Sequence, residues 1–369
     1  MKKILIYKSR NLLGSSGGIE KMISFLANNL SNHGHTVHIA TRDPSSKEMF
    51  FPLEKHITLK KLPANFNKIR HFIGKLFNDK LPYFNRNLYY SKQINDYCRE
   101  IKPDIIITTG IKDLHDITAY TPYPCKKILQ IHTTPQYLLN TLPKKMLSTL
   151  NKADYIQVLL PDYADTIQQY CSIPTAIIAN PVFPIDTKTS KENTIIYASR
   201  IEPNKQHHLL IKAFSLIADK HPDWQIHFYG QTNSEKYKKL CSSLIKQHKL
   251  SKQIIFKGTT NKLQQKLKTA SICAFPSAYE GFSLALTEAM AAGLPAIGFQ
   301  TSDGIRQLII NDKSGYLVTT VEEMADKLDL LINDKKHRTK LGQNAQRQML
   351  QFHPDKIIRQ WLDLINKLV

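Results

Sequence analysis

The sequence predicts an α/β protein built from two doubly wound parallel sheets. Short apolar strands alternate with amphipathic helices along nearly the whole chain, the signature of βαβ units. The alternation runs twice, interrupted by Pro181, Pro184 and the polar stretch 186–193, which reads as a linker. A length of 369 residues also exceeds what one ordinary core needs. The expected division is 1–183 and 184–353, with a last helix, 354–369, that can cross back to the first domain.

The elements follow in order. A strand is expected at Lys3–Tyr7, then a helix at Gly18–Asn32 with Ile19, Met22, Ile23, Leu26 and Leu30 on one face. Further strands are expected at 36–40, 57–62, 104–109, 127–131, 155–160 and 176–179. The connection 61–86 breaks the rhythm. In the second series the strands are Thr194–Ala198, Gln225–Tyr229, 253–257, Ile272–Phe275, 296–298 and Gly315–Val318. The helices between them are 205–220, 234–248, Leu263–Thr269, 284–292, Val321–Asn333 and 336–351. Sheets of this kind bind ligands beyond the carboxyl ends of their strands, so a cleft faced by both sheets is the expected site.

Composition narrows the class. Hydrophobic residues at 42% and charged residues at 22% describe a globular chain, and no apolar run reaches the roughly 20 residues that span a bilayer. The apolar stretch 4–7 is too short for a signal peptide and no small-residue cleavage site follows, so a buried first strand and a cytoplasmic protein are expected. Cys98, Cys125, Cys171, Cys241 and Cys273 are scattered, with no C-x-x-C, which points to free, mostly buried thiols. The net charge of +21 is uneven. Between Lys55 and Lys102 only Asp79, Asp96 and Glu100 oppose a run of cations that includes Lys60, Lys61, Lys68, Arg70 and Arg86, interleaved with Phe66, Phe72, Phe77, Tyr83, Phe84, Tyr89 and Tyr90. Two readings stand: a solvated basic face, or a surface that meets a membrane or an anionic acceptor.

The chemistry concentrates in FPSAYEGFSLALTEAMAAGLPAIG, 275–298. Glu280 lies on a loop before Gly281 and Phe282, and the backbone N–H groups of Phe282, Ser283 and Leu284 open a helix where they can hold an anion. Glu288 follows on the face that points back to the helix start, where it can take vicinal hydroxyls or simply favour the helix dipole. In RIEPNK, Arg200 ends a strand and Lys205 starts a helix, a planar fork and a mobile point charge for one anion. Diphosphate plus polyol is what a nucleotide sugar offers. In the first domain, Gly14-Ser-Ser-Gly17-Gly18 is a turn where backbone can approach a phosphate, but it matches neither dinucleotide nor P-loop signatures. His132, in LQIHTTP, ends a strand on the cleft side, where a functional or a purely structural histidine would both fit. No Asp-x-Asp and no His/Cys ligand spacing occurs, so no metal or cofactor is expected.

In this order and spacing these residues resemble the retaining GT-B glycosyltransferases of family 4, over nearly the whole chain. The resemblance implies two Rossmann-like domains facing a central cleft. It places Arg200 and Lys205 on the diphosphate, Glu288 on the ribose, Glu280 on the donor sugar and His132 beside the reacting sugar. Gly17 and Gly18 would border phosphates and acceptor, Gly258 and Thr259 the base, and Gly230 the nucleotide. The chain departs from the family pattern at Ser199 and Gln206, where glycine is common around the Arg-x4-Lys pair, and at Ser283, Asn180-Pro181 and Gln231-Thr232. The implied activity is transfer of a hexose or N-acetylhexosamine from a nucleotide sugar, most often UDP-linked, to a glycan, lipid-linked or anionic acceptor of bacterial cell-surface polysaccharide or lipopolysaccharide. A nucleotide-sugar epimerase or hydrolase, a non-catalytic sugar-nucleotide scaffold and, from charge alone, a nucleic-acid binder are the competing classes.

Overall fold

The computed structural model describes residues 1–65, 85–186 and 191–368. Most of the expected break at 61–86, with Lys68, Arg70 and five of the interleaved aromatics, lies outside the described residues. Contacts divide the chain into two compact units. One is Met1–Ala179 together with the residues from Ile357 onward, and the other is Asn180–Lys356.

The first unit holds a parallel sheet ordered β3-β2-β1-β4-β5-β6-β7. Its strands are β1 (Lys3–Tyr7), β2 (Thr36–Thr41), β3 (Thr58–Lys61), β4 (Ile105–Thr108), β5 (Lys126–Ile131), β6 (Tyr155–Val158) and β7 (Thr175–Ile177). Central β1 and β4 are continuous apolar runs, Ile4 to Tyr7 and Ile105 to Ile107, fully buried because helices cover both faces. The helix Gly18–Asn32 buries Met22, Ile23, Leu26 and Leu30, the spacing of one helical face. The helix Arg86–Ile101 starts where Asn85 Oδ1 accepts from the N–H groups of Asn87 and Leu88, an N-cap. The helix Pro354–Leu368 buries Ile357, Ile358, Trp361, Leu364 and Ile365 on one stripe.

The second unit repeats the plan with a parallel sheet ordered β10-β9-β8-β11-β12-β13. These strands are β8 (Thr194–Ala198), β9 (Gln225–Tyr229), β10 (Ile254–Gly258), β11 (Ile272–Phe275), β12 (Ala296–Phe299) and β13 (Gly315–Val318). In each sheet the chain starts in the middle, builds outward to one edge, then crosses to the other side. The strand order therefore reverses at β1/β4 and again at β8/β11, the two places where such sheets leave a crevice.

Three expectations need correction. The expected helix 205–220 is broken into a 3₁₀ turn at Pro203–Lys205, the helix His207–Ser215 and a second 3₁₀ turn at Ala218–Lys220. Gln206 sits between the first two at φ 48°, a left-handed conformation that ends one turn before the next begins. Gly258 closes β10 rather than opening the loop after it, because the strand is shifted one residue along. Part of the compositional linker is packed structure: the Val182 N–H donates to the Phe352 carbonyl, and Gln346 Nε2 donates to the carbonyl of buried Ile185.

Candidate functional site

In the second unit the predicted residues gather at the β8/β11 reversal. After β8 the chain runs through Ser199 and Arg200 into the Pro203–Lys205 turn, and after β11 it runs through Ser277 to Glu280 and the helix Leu284–Ala291. The Lys205 ammonium lies 2.8 Å from Glu280 Oε1, with both side chains largely out of water. The Ala278 N–H donates to the Asn204 carbonyl at 2.9 Å, stitching the two loops side by side. Lys205 thus belongs to a 3₁₀ turn and not to a helix's first turn, as the sequence suggested, yet it reaches the same place.

The other cation is presented differently. Arg200 is 59% exposed and its Nη2 pairs with Glu202 at 3.1 Å. With the guanidinium itself mostly in water, this single ion pair gains it little, so it can exchange that partner for a phosphate at small cost. Backbone shape around it is set by Gly230. A side chain there would put Cβ 1.9 Å from the Ser199 carbonyl oxygen, and its φ of 149° is rare outside glycine. Its N–H also donates to the Gly258 carbonyl, tying together two of the loops expected near the nucleotide, with Thr259 just beyond.

Ser283 is the N-cap of the helix Leu284–Ala291, in extended conformation and without a side-chain cap bond. The helix's amides without an intrahelical partner are therefore those of Ser283 and of the first turn from Leu284, while Phe282, buried against Phe352, positions the entry. Glu288 is half-buried within that helix. The Glu280 loop is braced from behind by Gly304, where a Cβ would lie 2.3 Å from the Glu280 carbonyl oxygen.

The first unit assembles a second group of predicted residues near its own reversal, β1/β4. Gly17 is the N-cap of the helix Gly18–Asn32. Lys8, just past β1, pairs with buried Glu20 of that helix's first turn at 3.6 Å. His132 follows β5 directly; its Nε2 is buried without a hydrogen-bond partner. Burial, reinforced by the charge of Lys8, pulls its pKa down to about 4, so the ring is neutral at physiological pH. Lys8 and Glu20 were not singled out from sequence. The only cue for Glu20 was its place three residues after the N-cap glycine, the back-reaching position of a capping box.

Sequence reasoning also missed Tyr197 and Ser277, which lie beneath the Lys205–Glu280 pair and are completely buried. Tyr197 sits in a cluster of rings with His207, Phe228 and Phe275, at centroid distances of 4.7, 6.2 and 5.1 Å. The five cysteines are free, four of them buried, and burial raises the thiol pKa of Cys273, Cys98, Cys241 and Cys125. Among the described residues no group of three metal-ligating side chains converges, and no helix is long and apolar enough to cross a membrane.

Comparison with known proteins decides the family. Residues 16–184 match the model of Glycosyltransferase Family 4 and residues 182–348 that of Glycosyl transferases group 1. The chain belongs to the group 1 glycosyltransferases. An uncharacterized glycosyltransferase of Haemophilus influenzae is 27% identical to this one, over 99% of this chain and 100% of its own. The Campylobacter jejuni GalNAc-alpha-(1->4)-GalNAc-alpha-(1->3)-diNAcBac-PP-undecaprenol alpha-1,4-N-acetyl-D-galactosaminyltransferase is 24% identical over 95% of each chain. Among solved structures, Anabaena Alr3699/HepE in complex with UDP and glucose superposes with a TM-score of 0.80 at 20% identity, covering 100% of both chains. The glycosyltransferase has the GT-B fold, two parallel-sheet α/β units of seven and six strands.

Proposed function

We propose that this glycosyltransferase moves a hexose or N-acetylhexosamine from a UDP-sugar, with retention of anomeric configuration, to a glycan, lipid-linked or anionic polymer acceptor in bacterial cell-surface polysaccharide or lipopolysaccharide synthesis. The observation that carries the reading is the largely buried Lys205–Glu280 pair at the β8/β11 reversal, on the same loop after β8 that carries the exposed Arg200 guanidinium. A cation held dry at a strand-order reversal suits a diphosphate, and a carboxylate on the same spot suits a sugar hydroxyl. The Campylobacter relative's undecaprenol-linked acceptor and the UDP and glucose bound by the Anabaena protein point to the same donor and acceptor classes.

In this reading Lys205 and Arg200 meet the charge that builds on the departing diphosphate, helped by the amides that open the helix Leu284–Ala291 and without a metal ion. Glu280 holds a hydroxyl of the donor sugar and Glu288 the ribose. Gly230, Gly258 and Thr259 border the nucleotide. Neutral His132 can accept or donate one hydrogen bond to the reacting sugar through its unpartnered Nε2, and Gly17 and Gly18 leave room for phosphate or acceptor. The enzyme works in the cytoplasm, with the basic region 55–102 resting on the inner membrane face. A thermal-shift panel of nucleotide sugars tests the donor: UDP-sugars are expected to stabilise the protein and GDP- or ADP-sugars to leave it unchanged. Alanine at Arg200 or Lys205 is expected to cut UDP release by a factor on the order of a hundred. Near wild-type release by either variant contradicts the diphosphate assignment.

A further inference from the structure

Lys205 and Glu280 are the visible part of a closed ring of contacts. The Tyr197 hydroxyl donates to the Lys205 carbonyl at 2.8 Å and lies 2.8 Å from Ser277 Oγ. Ser277 Oγ donates to Glu280 Oε1 at 2.8 Å, and that same oxygen takes the Lys205 ammonium at 2.8 Å. The ring therefore grips Lys205 twice, by its backbone through Tyr197 and by its side chain through Glu280. Tyr197 and Ser277 are completely buried, so no water competes for these bonds.

We infer that Tyr197 and Ser277 are positioning residues for transfer, fixing the direction of the Lys205 ammonium and the Glu280 carboxylate. The inference rests on the donor-site reading above. Its physical basis is a count of hydrogens. The two hydroxyls carry two hydrogens for three oxygen contacts, from Tyr197 to Lys205, Tyr197 to Ser277 and Ser277 to Glu280. The Ser277 hydrogen can point to Glu280, or turn to the Tyr197 oxygen while Tyr197 donates to the Lys205 carbonyl. Only the first arrangement keeps Ser277 on Glu280, and it can persist when a sugar hydroxyl arrives, because a carboxylate accepts at about four lone-pair sites. Glu280 and Lys205 are then held in place both before and after the donor binds. Preorganisation of this kind acts on the transition state more than on ground-state binding.

The test uses Tyr197→Phe, which keeps the buried ring, Ser277→Ala, and the double variant, assayed by UDP release from whichever of UDP-glucose, UDP-galactose and their N-acetyl forms turns over fastest. Both single variants are expected to lose about tenfold in kcat while KM for the donor moves less than about threefold. The double variant is expected to fall no more than about twofold below the worse single one, since both act through one ring. Values of kcat within twofold of wild type in both folded single variants overturn the inference, as does a double variant whose losses multiply. Lys205→Ala, run alongside, separates the readings: if it keeps full turnover, the donor site itself is misplaced. If no sugar in the panel turns over, calorimetric titration of UDP decides: affinity within about threefold of wild type in both folded single variants is expected, and a loss of about tenfold or more in either overturns the inference.

Discussion

Glu280 and Glu288 look alike in sequence, two carboxylates eight residues apart, but they differ in what surrounds them. Glu280 takes an ammonium and a hydroxyl on one oxygen, on a loop braced by Gly304. Glu288 is carried one helical turn past the amides that begin at Leu284. Their roles are expected to part on mutation. Glu280→Gln removes the charge that orients Lys205 and should lower UDP release from a UDP-sugar by about tenfold or more, with UDP affinity less affected. Glu288→Gln should weaken UDP itself by about tenfold, the value of one charge-assisted bond. Calorimetry with UDP and a UDP-release assay on both variants distinguish the two; identical profiles would refute the separation. The charged residues were legible because their type and spacing carry chemistry. Tyr197 and Ser277 were not, since a buried tyrosine in an apolar strand looks like core, and nothing in IIYAS says where its hydroxyl ends.

At the scale of elements, the boundary between the Pro203–Lys205 turn and the helix His207–Ser215 is the least comfortable backbone near the site. Gln206 holds a left-handed conformation that costs a side-chain-bearing residue about 1–2 kcal/mol relative to glycine. Gln206→Gly is therefore expected to stabilise the second unit by up to about 1 kcal/mol, after allowing for glycine's freedom in the unfolded chain. Urea unfolding checks it, and a lower midpoint would contradict it. The opposite change, Gly304→Ala, drives a methyl into the Glu280 carbonyl and should displace the loop, reducing turnover by about tenfold or more in a protein that still folds. The strands were readable in advance because β8, β11 and β13 are apolar runs and β9 alternates polar and apolar residues, each bounded by polar turns. The broken helix was not: LLIKAF is helical in any window, and only tertiary context places a left-handed residue before it. The helices Arg86–Ile101, Ile111–Thr118, Pro161–Gln168 and Asp303–Leu308 went unassigned for a related reason. Three of them are short and carry polar faces, so their periodicity is weak until a sheet supplies the surface they cover.

At the scale of the whole molecule, the two units should respond differently to acid. In the second, burial lowers the pKa of His207 to about 3, with Lys205 adding to it, and that of His227 to about 4, with Lys257 adding to it. A histidine whose folded pKa lies below its unfolded value supports the fold fully above about pH 6.5 and loses that support as pH falls toward the folded value. In the first unit His132 acts in the same direction, but Asp116 opposes it. Burial raises the Asp116 carboxyl to about 6 despite the attraction of Arg42, so it takes up a proton earlier in the folded state and gains stability over the same range. His35 and His38, also lowered by burial, add smaller losses there. Acidification from pH 7 to 4.5 is thus expected to destabilise the second unit more than the first, by on the order of 2 kcal/mol. The chain's two tryptophans report on them separately: Trp224 lies in the second unit and Trp361 in the first. Single-tryptophan variants, unfolded in urea at both pH values, should show the larger midpoint shift for Trp224. An equal or larger shift for Trp361 would contradict the assignment.

The role proposed for Lys205, fixed by Glu280 at the β8/β11 reversal, is to receive the donor's diphosphate. Isothermal titration of UDP into wild-type protein and into Lys205→Ala tests it most directly, because neither the sugar nor the acceptor needs to be known. Wild type is expected to bind, and the variant to lose between about tenfold and a hundredfold in affinity, the worth of one dry charge-assisted contact to phosphate. Equal affinity in a folded Lys205→Ala protein would contradict it.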